Sequence, residues 1–426
     1  MSQIINKFMN DSKCNVISKE DRIIWGLNEI ISESCLYEKK VESNLTEYDG
    51  KYYCPLHLPM ESNLKDHETT NQYLQKIIEH QFFNFRYIKI KNFNITKIET
   101  NKPLFISFSK IDCLSIKKCN FSKGVDIKNT VIKKEASFSL SSVGYITFDS
   151  LFSYGEFYLN INTDQINIRK CIFYLQKIPE KYNNPSYENT IKHVEKQSVS
   201  ISGEEIYELN ITGSTFYTHL SINTNNIANI KFDATTNIFH RVPSIITHQP
   251  EKFDGAFSLP LLKWKDINTG LKNLYQDNRN HYICQLNGEY DRLKNLYHIA
   301  SLKLLFENEG NYYVLMHKCM EINTHKPRLE RFFSSLYRIF GGYGISLLNP
   351  IISLISLFLL FFIIFYYQTD SYCLALESLF YPFKLANEQI KFATSNAKFA
   401  MIIYSICSYI LITLLVITLR WKFKKK

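Results

Sequence analysis

The chain has 426 residues, more than one compact domain of about 100–200 residues usually holds, so more than one unit is expected. Hydrophobic residues make up 45% and charged residues 21%, and the formal net charge is +10, a balance that excludes a disordered or strongly acidic chain. The apolar residues are unevenly spread, and the last hundred positions hold two uncharged blocks.

Residues 1–75 are polar and read as a small N-terminal cap. The opening Met-Ser-Gln-Ile-Ile-Asn-Lys-Phe lacks the charged segment and long apolar core of a signal peptide, so this part is expected inside the cell. There most of the ten cysteines of the chain would be thiols or metal ligands, because disulfides are rare in a reducing cytosol.

From 82 to 262 the texture changes to short alternating segments rich in Ile, Phe and Asn, as in strands bounded by turns. Five segments fit the template apolar-x-apolar-x-x-small-x-apolar: Leu114–Phe121, Val125–Ile132, Tyr145–Phe152, Ile166–Phe173 and Leu209–Phe216. Apart from one half-step, their spacings are one or two multiples of about 21, which suits one coil of a parallel β-helix. The apolar positions would fill the interior, and Cys119, Thr130, Ser150, Cys171 and Ser214 would occupy inward corners with no room for a large side chain. Irregular strands of a β-sandwich fit the alternation as well. Residues 177–200, rich in proline and charge, read as a loop bulging from the stack.

Over 265–340 the pattern turns helical, with Leu293, Leu296, Ala300 and Leu304 at spacings of three and four. Gly288, Gly310 and Gly341-Gly342 punctuate it into short helices. Residues 345–367 and 399–419 are each uncharged and long enough to cross a bilayer core of about 30 Å as a helix. Tyr366, Tyr367 and Trp421 stand at interfacial positions. Lys326, Arg328, Arg331 and Arg338 precede the first span, and Arg420, Lys422, Lys424, Lys425 and Lys426 follow the second. Between them, Lys384, Lys391 and Lys398 are balanced by Asp370, Glu377 and Glu388. Retention of basic residues in the cytoplasm then puts both termini inside, with 368–398 as an external hairpin and 420–426 as a basic tail.

The order of Tyr53-Cys-Pro-Leu-His57, strand repeats, the Ser301–Glu321 helical segment, Gly342-Tyr-Gly-Ile-Ser346 and a two-helix ending Arg420-Trp-Lys-Phe423 resembles membrane-anchored pentapeptide-repeat-like proteins of bacteria. The repeats depart from that family's five-residue Ala-Asp/Asn-Leu pattern. The resemblance implies an irregular right-handed parallel β-helix, helices after it, and location in the inner membrane. It implies no activity.

Three constellations carry candidate chemistry. Cys14, Cys35, Cys54 and His57 form either a structural Cys3His zinc set, with His67 as a substitute fourth ligand, or reduced cysteines packed in the cap. The hairpin Ser371–Lys384 either lies on the outer membrane surface or re-enters as a pore helix in an oligomer. Gly342-Tyr-Gly344 matches a potassium filter superficially, but it precedes the first span, and a filter lies between spans. Lys89, Lys91, Lys97, Lys117, Lys118, Lys123, Lys128, Lys133 and Lys134 would line outer faces of the coils, and an ordinary solvated surface accounts for them better than either nucleic acid or anionic lipid. A phosphate-binding loop, a His-Glu-x-x-His and a nucleophile elbow are absent from the sequence. The expectation is therefore a non-enzymatic membrane protein that presents a solenoid to another protein, with membrane lipid as its other partner and self-assembly open. The alternative is an oligomeric channel or membrane-perturbing effector.

Overall fold

The computed structural model describes residues 14, 16, 35–37, 45–174, 198–233, 236–247, 257–274, 279–323, 327–344, 347–380 and 395–424. A two-stranded antiparallel hairpin, β1 (Thr46–Tyr48) and β2 (Lys51–Tyr53), turns at Asp49-Gly50, where both φ angles are positive. Helix α1 (His67–Glu79) follows. Its N-cap Asp66 accepts from the backbone N–H of Glu68 and Thr69, and it buries Tyr73, Leu74, Ile77 and Ile78.

Residues 84–246 then form a parallel β-solenoid. Its register runs through Phe85, Ile106, Ile127, Phe148, Ile168, Ile211 and Phe232, each paired with the next. All seven are buried. Successive steps are 21 residues, except for one of 20 and one of 43. The long step contains residues 175–197, so the expected 177–200 loop falls mostly outside the described residues, and strand structure has resumed by Ser198. The register on either side of it is kept, with Phe173 paired to Phe216.

Two residues beyond each of the first six positions the backbone enters the left-handed region, at Tyr87, Phe108, Asn129, Ser150, Lys170 and Gly213. This turns these six coils at the same place. The next residue, Ile88, Ser109, Thr130, Leu151, Cys171 or Ser214, points inward and is fully buried. Its chemistry explains the small residue of the template. Ser109, Thr130, Cys171 and Ser214 each donate to the carbonyl two residues earlier, at 2.8, 2.9, 3.3 and 3.1 Å, satisfying an acceptor at the bend. Leu151 and Ile88 fit the same corner, so volume alone does not set the choice.

Two expectations are corrected by this register. Tyr145–Phe152 is read one residue early: Ile146 and Phe148 pair with Val125 and Ile127, and Leu151, not Ser150, fills the corner. Leu114–Phe121 belongs to a second face, where Phe93, Leu114, Ala136, Phe157, Val199 and Leu220 stack, which accounts for the half-step. Cys119 plays the corner role there, donating to Lys117 O at 3.3 Å beside the left-handed Lys118.

Inside the stack, the rings of Phe173, Phe216 and Phe239 lie nearly parallel, with centroids 4.9 and 5.1 Å apart. Outside it, Tyr154, Tyr174, Tyr217 and His240 form a parallel ladder. The lysines from 91 to 134 named above lie on exposed outer positions, whereas Lys89 is 1% exposed because the N-terminal segment covers it. Helix α2 (Trp264–Leu274) lies against the last coil: His240 Nδ1 is 3.1 Å from Asp266 O, and a Cβ on Gly270 would stand 2.4 Å from His240 O.

The second compact unit comprises 283–297 and 306–426. Helix α3 (Arg279–Leu302) runs through Gly288 and α4 (Phe306–Ile322) through Gly310, so these glycines do not break helices as expected. An interior glycine costs only about 1 kcal/mol. The break falls instead at 303–305, where Leu304 is left-handed. Then come α5 (Arg328–Gly341), a short 3-10 turn Gly342–Gly344, α6 (Leu348–Thr369), α7 (Tyr372–Phe380) and α8 (Ser395–Lys424). Phe361, Phe365, Ala375, Leu379, Met401 and Tyr404 form the core that joins α6, α7 and α8. Of the hairpin expected at 368–398, 381–394 fall outside the described residues.

Candidate metal centre

Cys54 follows β2 directly and starts a tight turn in which the N–H groups of His57 and Leu58 both donate to Cys54 O, at 3.0 and 3.1 Å. A turn of that shape brings a side chain and its third successor together. Cys54 Sγ is 3.2 Å from His57 Nδ1, Cys14 Sγ is 3.3 Å from the same nitrogen, and Cys35 Sγ is 3.9 Å from Cys54 Sγ. The four ligand atoms all lie within 4.8 Å of one another, and all four residues are buried.

Zinc–sulfur and zinc–nitrogen bonds of about 2.3 and 2.0–2.1 Å put the vertices of a tetrahedron about 3.5–3.8 Å apart. The cluster has that size. His57 Nε2 lies 3.0 Å from Arg86 O, an atom that can only accept, so Nε2 carries a proton and Nδ1 is the nitrogen aimed at the sulfurs, the one that would ligate a cation. Cys14 Sγ also accepts from the backbone N–H of Cys54 at 3.0 Å. The sequence-derived set is thus brought together whole, while His67, at the start of α1, stands outside it.

Crowding makes these groups compete for protons. Hydrogen bonding with Cys35 and then Cys54, together with burial, drives the Cys14 thiol far above its ordinary range, while contact with Cys14 and Cys54 drives Cys35 far below. Burial opposes protonation of His57, but the charges of Cys54 and Cys35 and their hydrogen bonds outweigh it and raise the imidazole to about 10. A divalent cation lets all three thiols ionise at once. With four protein ligands and no open position, such a centre is structural rather than catalytic.

The surrounding residues tie the cluster to the first coil. Tyr37, 1% exposed, has its ring centroid 5.3 Å from that of His57; its hydroxyl donates to Asn84 O at 3.3 Å and accepts from Arg86 N at 2.9 Å. Leu56 O accepts from Lys89 N at 2.8 Å. With the His57 bond to Arg86 O, four hydrogen bonds therefore cover the open edge of the solenoid's first coil over Asn84–Lys89. Lys65, nearly buried, donates to Pro55 O and Leu58 O at 2.8 and 2.7 Å, and burial lowers its pKa to about 7. Sequence reasoning missed Tyr37 and Lys65, since neither lies in a motif.

The other described buried cysteines behave as compact core residues. Burial pushes the Cys171 thiol up to about 12 and raises those of Cys119 and Cys319. No family model, curated protein or solved structure matches the chain.

Proposed function

We propose that the chain is a membrane-attached scaffold without catalytic activity of its own: α6 and α8 cross a bacterial inner membrane as a hairpin, both termini are cytoplasmic, and the solenoid offers a rigid lateral surface to another protein. Zinc bound by Cys14, Cys35, Cys54 and His57 closes the first coil. Kinship with membrane-anchored pentapeptide-repeat proteins belongs to this proposal, supported by the order of solenoid and apolar hairpin.

One observation carries the reading. The apolar windows of α6 and α8 are long enough to span a bilayer, yet only 17% and 22% of each is buried within the protein. A core helix of a water-soluble protein hides its apolar surface. Here Leu359, Leu360, Ile363, Ile402, Ile406 and Ile410 face outward, as they do when lipid is the solvent. The inner faces meet through Phe361, Phe365 and Tyr404, so the helices associate by packing. Arg331, Arg338 and Arg420 at the same ends of the two spans support the orientation.

Reporter fusions after Lys426 and within 385–395 test the hairpin and are expected on opposite sides of the membrane. Finding both on one side overturns it, as does release of the chain by alkaline extraction. Cross-linking from exposed solenoid positions in cells should capture a defined protein partner. Capture of lipid or nucleic acid alone would sink the scaffold reading.

A further inference from the structure

Helix α5 is built inside out for a globular protein. At about 100° per residue, Leu329, Phe332, Phe333, Leu336, Ile339 and Phe340 fall within one arc of roughly 120°. That arc faces away from the protein: Leu329, Phe332, Phe333, Ile339 and Phe340 are 41–65% exposed. The opposite side, small and polar, makes the contacts. Ser334 is buried with its hydroxyl 3.3 Å from His317 Nδ1 of α4; Tyr337 sets its ring beside those of His317 and Tyr343; and a Cβ on Gly341 would stand 3.4 Å from Leu414 of α8.

What covers the apolar arc follows from where α5 ends. Gly342 and Tyr343, both left-handed, turn the chain into α6 within a few residues, and Tyr343 is pinned by a hydrogen bond from its hydroxyl to Glu321, which also pairs with Arg338 at 2.8 Å. Asn349, in the first turn of α6, reaches back to the carbonyls of Arg338 and Ile339 at 3.4 and 3.5 Å. The exposed face of α5 thus runs on into Leu348, Ile351 and Ile352, themselves exposed at the start of the membrane-crossing helix. With Arg338 held by Glu321, Arg328 and Arg331 still outnumber the single acid of the helix, Glu330. A basic, amphipathic helix with paired phenylalanines, joined rigidly to a span, has the chemistry of an interfacial segment.

We infer that α5 lies in the plane of the membrane surface, its apolar arc sunk about 5–10 Å into the headgroup–acyl boundary and the exposed Arg328, at the edge of that arc, on anionic lipid phosphates. This rests on the membrane reading of α6 and α8 and adds to it a second, in-plane attachment.

The full chain, reconstituted in phosphatidylcholine–phosphatidylglycerol vesicles, tests it with a photoreactive benzoylphenylalanine placed in turn at Phe332, Phe340, Glu330 and Leu359. All four sites are exposed, so the substitutions leave the packed side of each helix intact. Lipid adducts are expected at 332, 340 and 359 and not at 330. Omitting phosphatidylglycerol should lower the yield at 332 several-fold and leave 359 unchanged; equal yields at 332 overturn the assignment to anionic headgroups. Adducts at 359 without any at 332 or 340 overturn the interfacial helix and leave the spans standing. Chain-to-chain cross-links from 332 give the face to a second copy and overturn it too. A lack of lipid adducts at all four sites sinks the membrane reading itself.

Discussion

Replacing Cys35 by serine removes one of three thiolates from a four-ligand set, and the effect should be felt at the first coil rather than only at the metal. Four hydrogen bonds hold the Cys54–Leu58 turn and Tyr37 to Asn84, Arg86 and Lys89. At about 0.5–1.5 kcal/mol each, their joint loss lowers the free energy of opening this edge by about 2–6 kcal/mol. With about 1.4 kcal/mol per factor of ten, hydrogen exchange at the Arg86 and Lys89 amides should speed up by roughly thirtyfold to ten-thousandfold. Both amides donate directly to the lid, so they are the proper reporters. Strands at 199–232 should be unaffected, because a solenoid coil senses chiefly its neighbours. Mass-spectrometric exchange on the full chain in detergent measures this, alongside metal content, expected near one zinc per chain and near none in Cys35→Ser. Wild-type protein without zinc, or unchanged protection of Arg86 and Lys89 in the variant, would refute the reasoning.

Gly213 (φ 61) has no close neighbour for an added Cβ, so Gly213→Ala isolates the left-handed bend and should cost about 1 kcal/mol in urea unfolding; Lys170→Gly at the equivalent bend should instead stabilise by a few tenths to about 1 kcal/mol. Phe216→Ala empties the middle of the Phe173–Phe216–Phe239 stack and should cost about 3–5 kcal/mol, visible as a Tm lower by roughly 6–20 °C. Gly203→Ala brings a Cβ to 2.0 Å from Ile161 O and should prevent closure of that coil, read as loss of the cooperative unfolding transition. His317 is held below its ordinary pKa by burial between α4 and α5, against the opposing charge of Glu321. The unfolded chain then binds more protons, so stability is full above about pH 6.5 and declines as pH falls below it; His317→Gln should flatten that slope.

The coil length was legible because inward positions such as Ile127 and Ile168 alternate with outward polar ones, and their recurrence follows from stacking. Phase was harder to read. A period of two cannot separate adjacent registers where both rows are apolar, and Tyr145 and Phe152 mimic Ile146 and Ser153, hence the one-residue slip. The two faces of a coil carry similar apolar rows, so the half-step at Leu114 looked like irregular spacing. Asp49-Gly50 and the N-cap Asp66 mark β1–β2 and α1, yet the polar composition of 1–75 hid them. The metal ligands were legible as types, and Cys54-x-x-His57 as a spacing, whereas Tyr37 and Lys65 enter only through folding. For α5 the sequence shows an apolar arc but not that its polar side packs inward, since periodicity tells which residues share a face and not what that face meets.

The lid over Asn84–Lys89 also bears on assembly. A bare first strand would offer the parallel-pairing pattern that every later coil uses, an open template for a neighbouring chain. The far end of the stack lies against α2, brought close by Gly270. If zinc closes this end as proposed, a chain that loses it gains one adhesive edge. Two such edges can join about a two-fold axis and stop there, whereas a growing filament needs both ends of each chain uncovered. Zinc depletion should accordingly yield dimers before fibres.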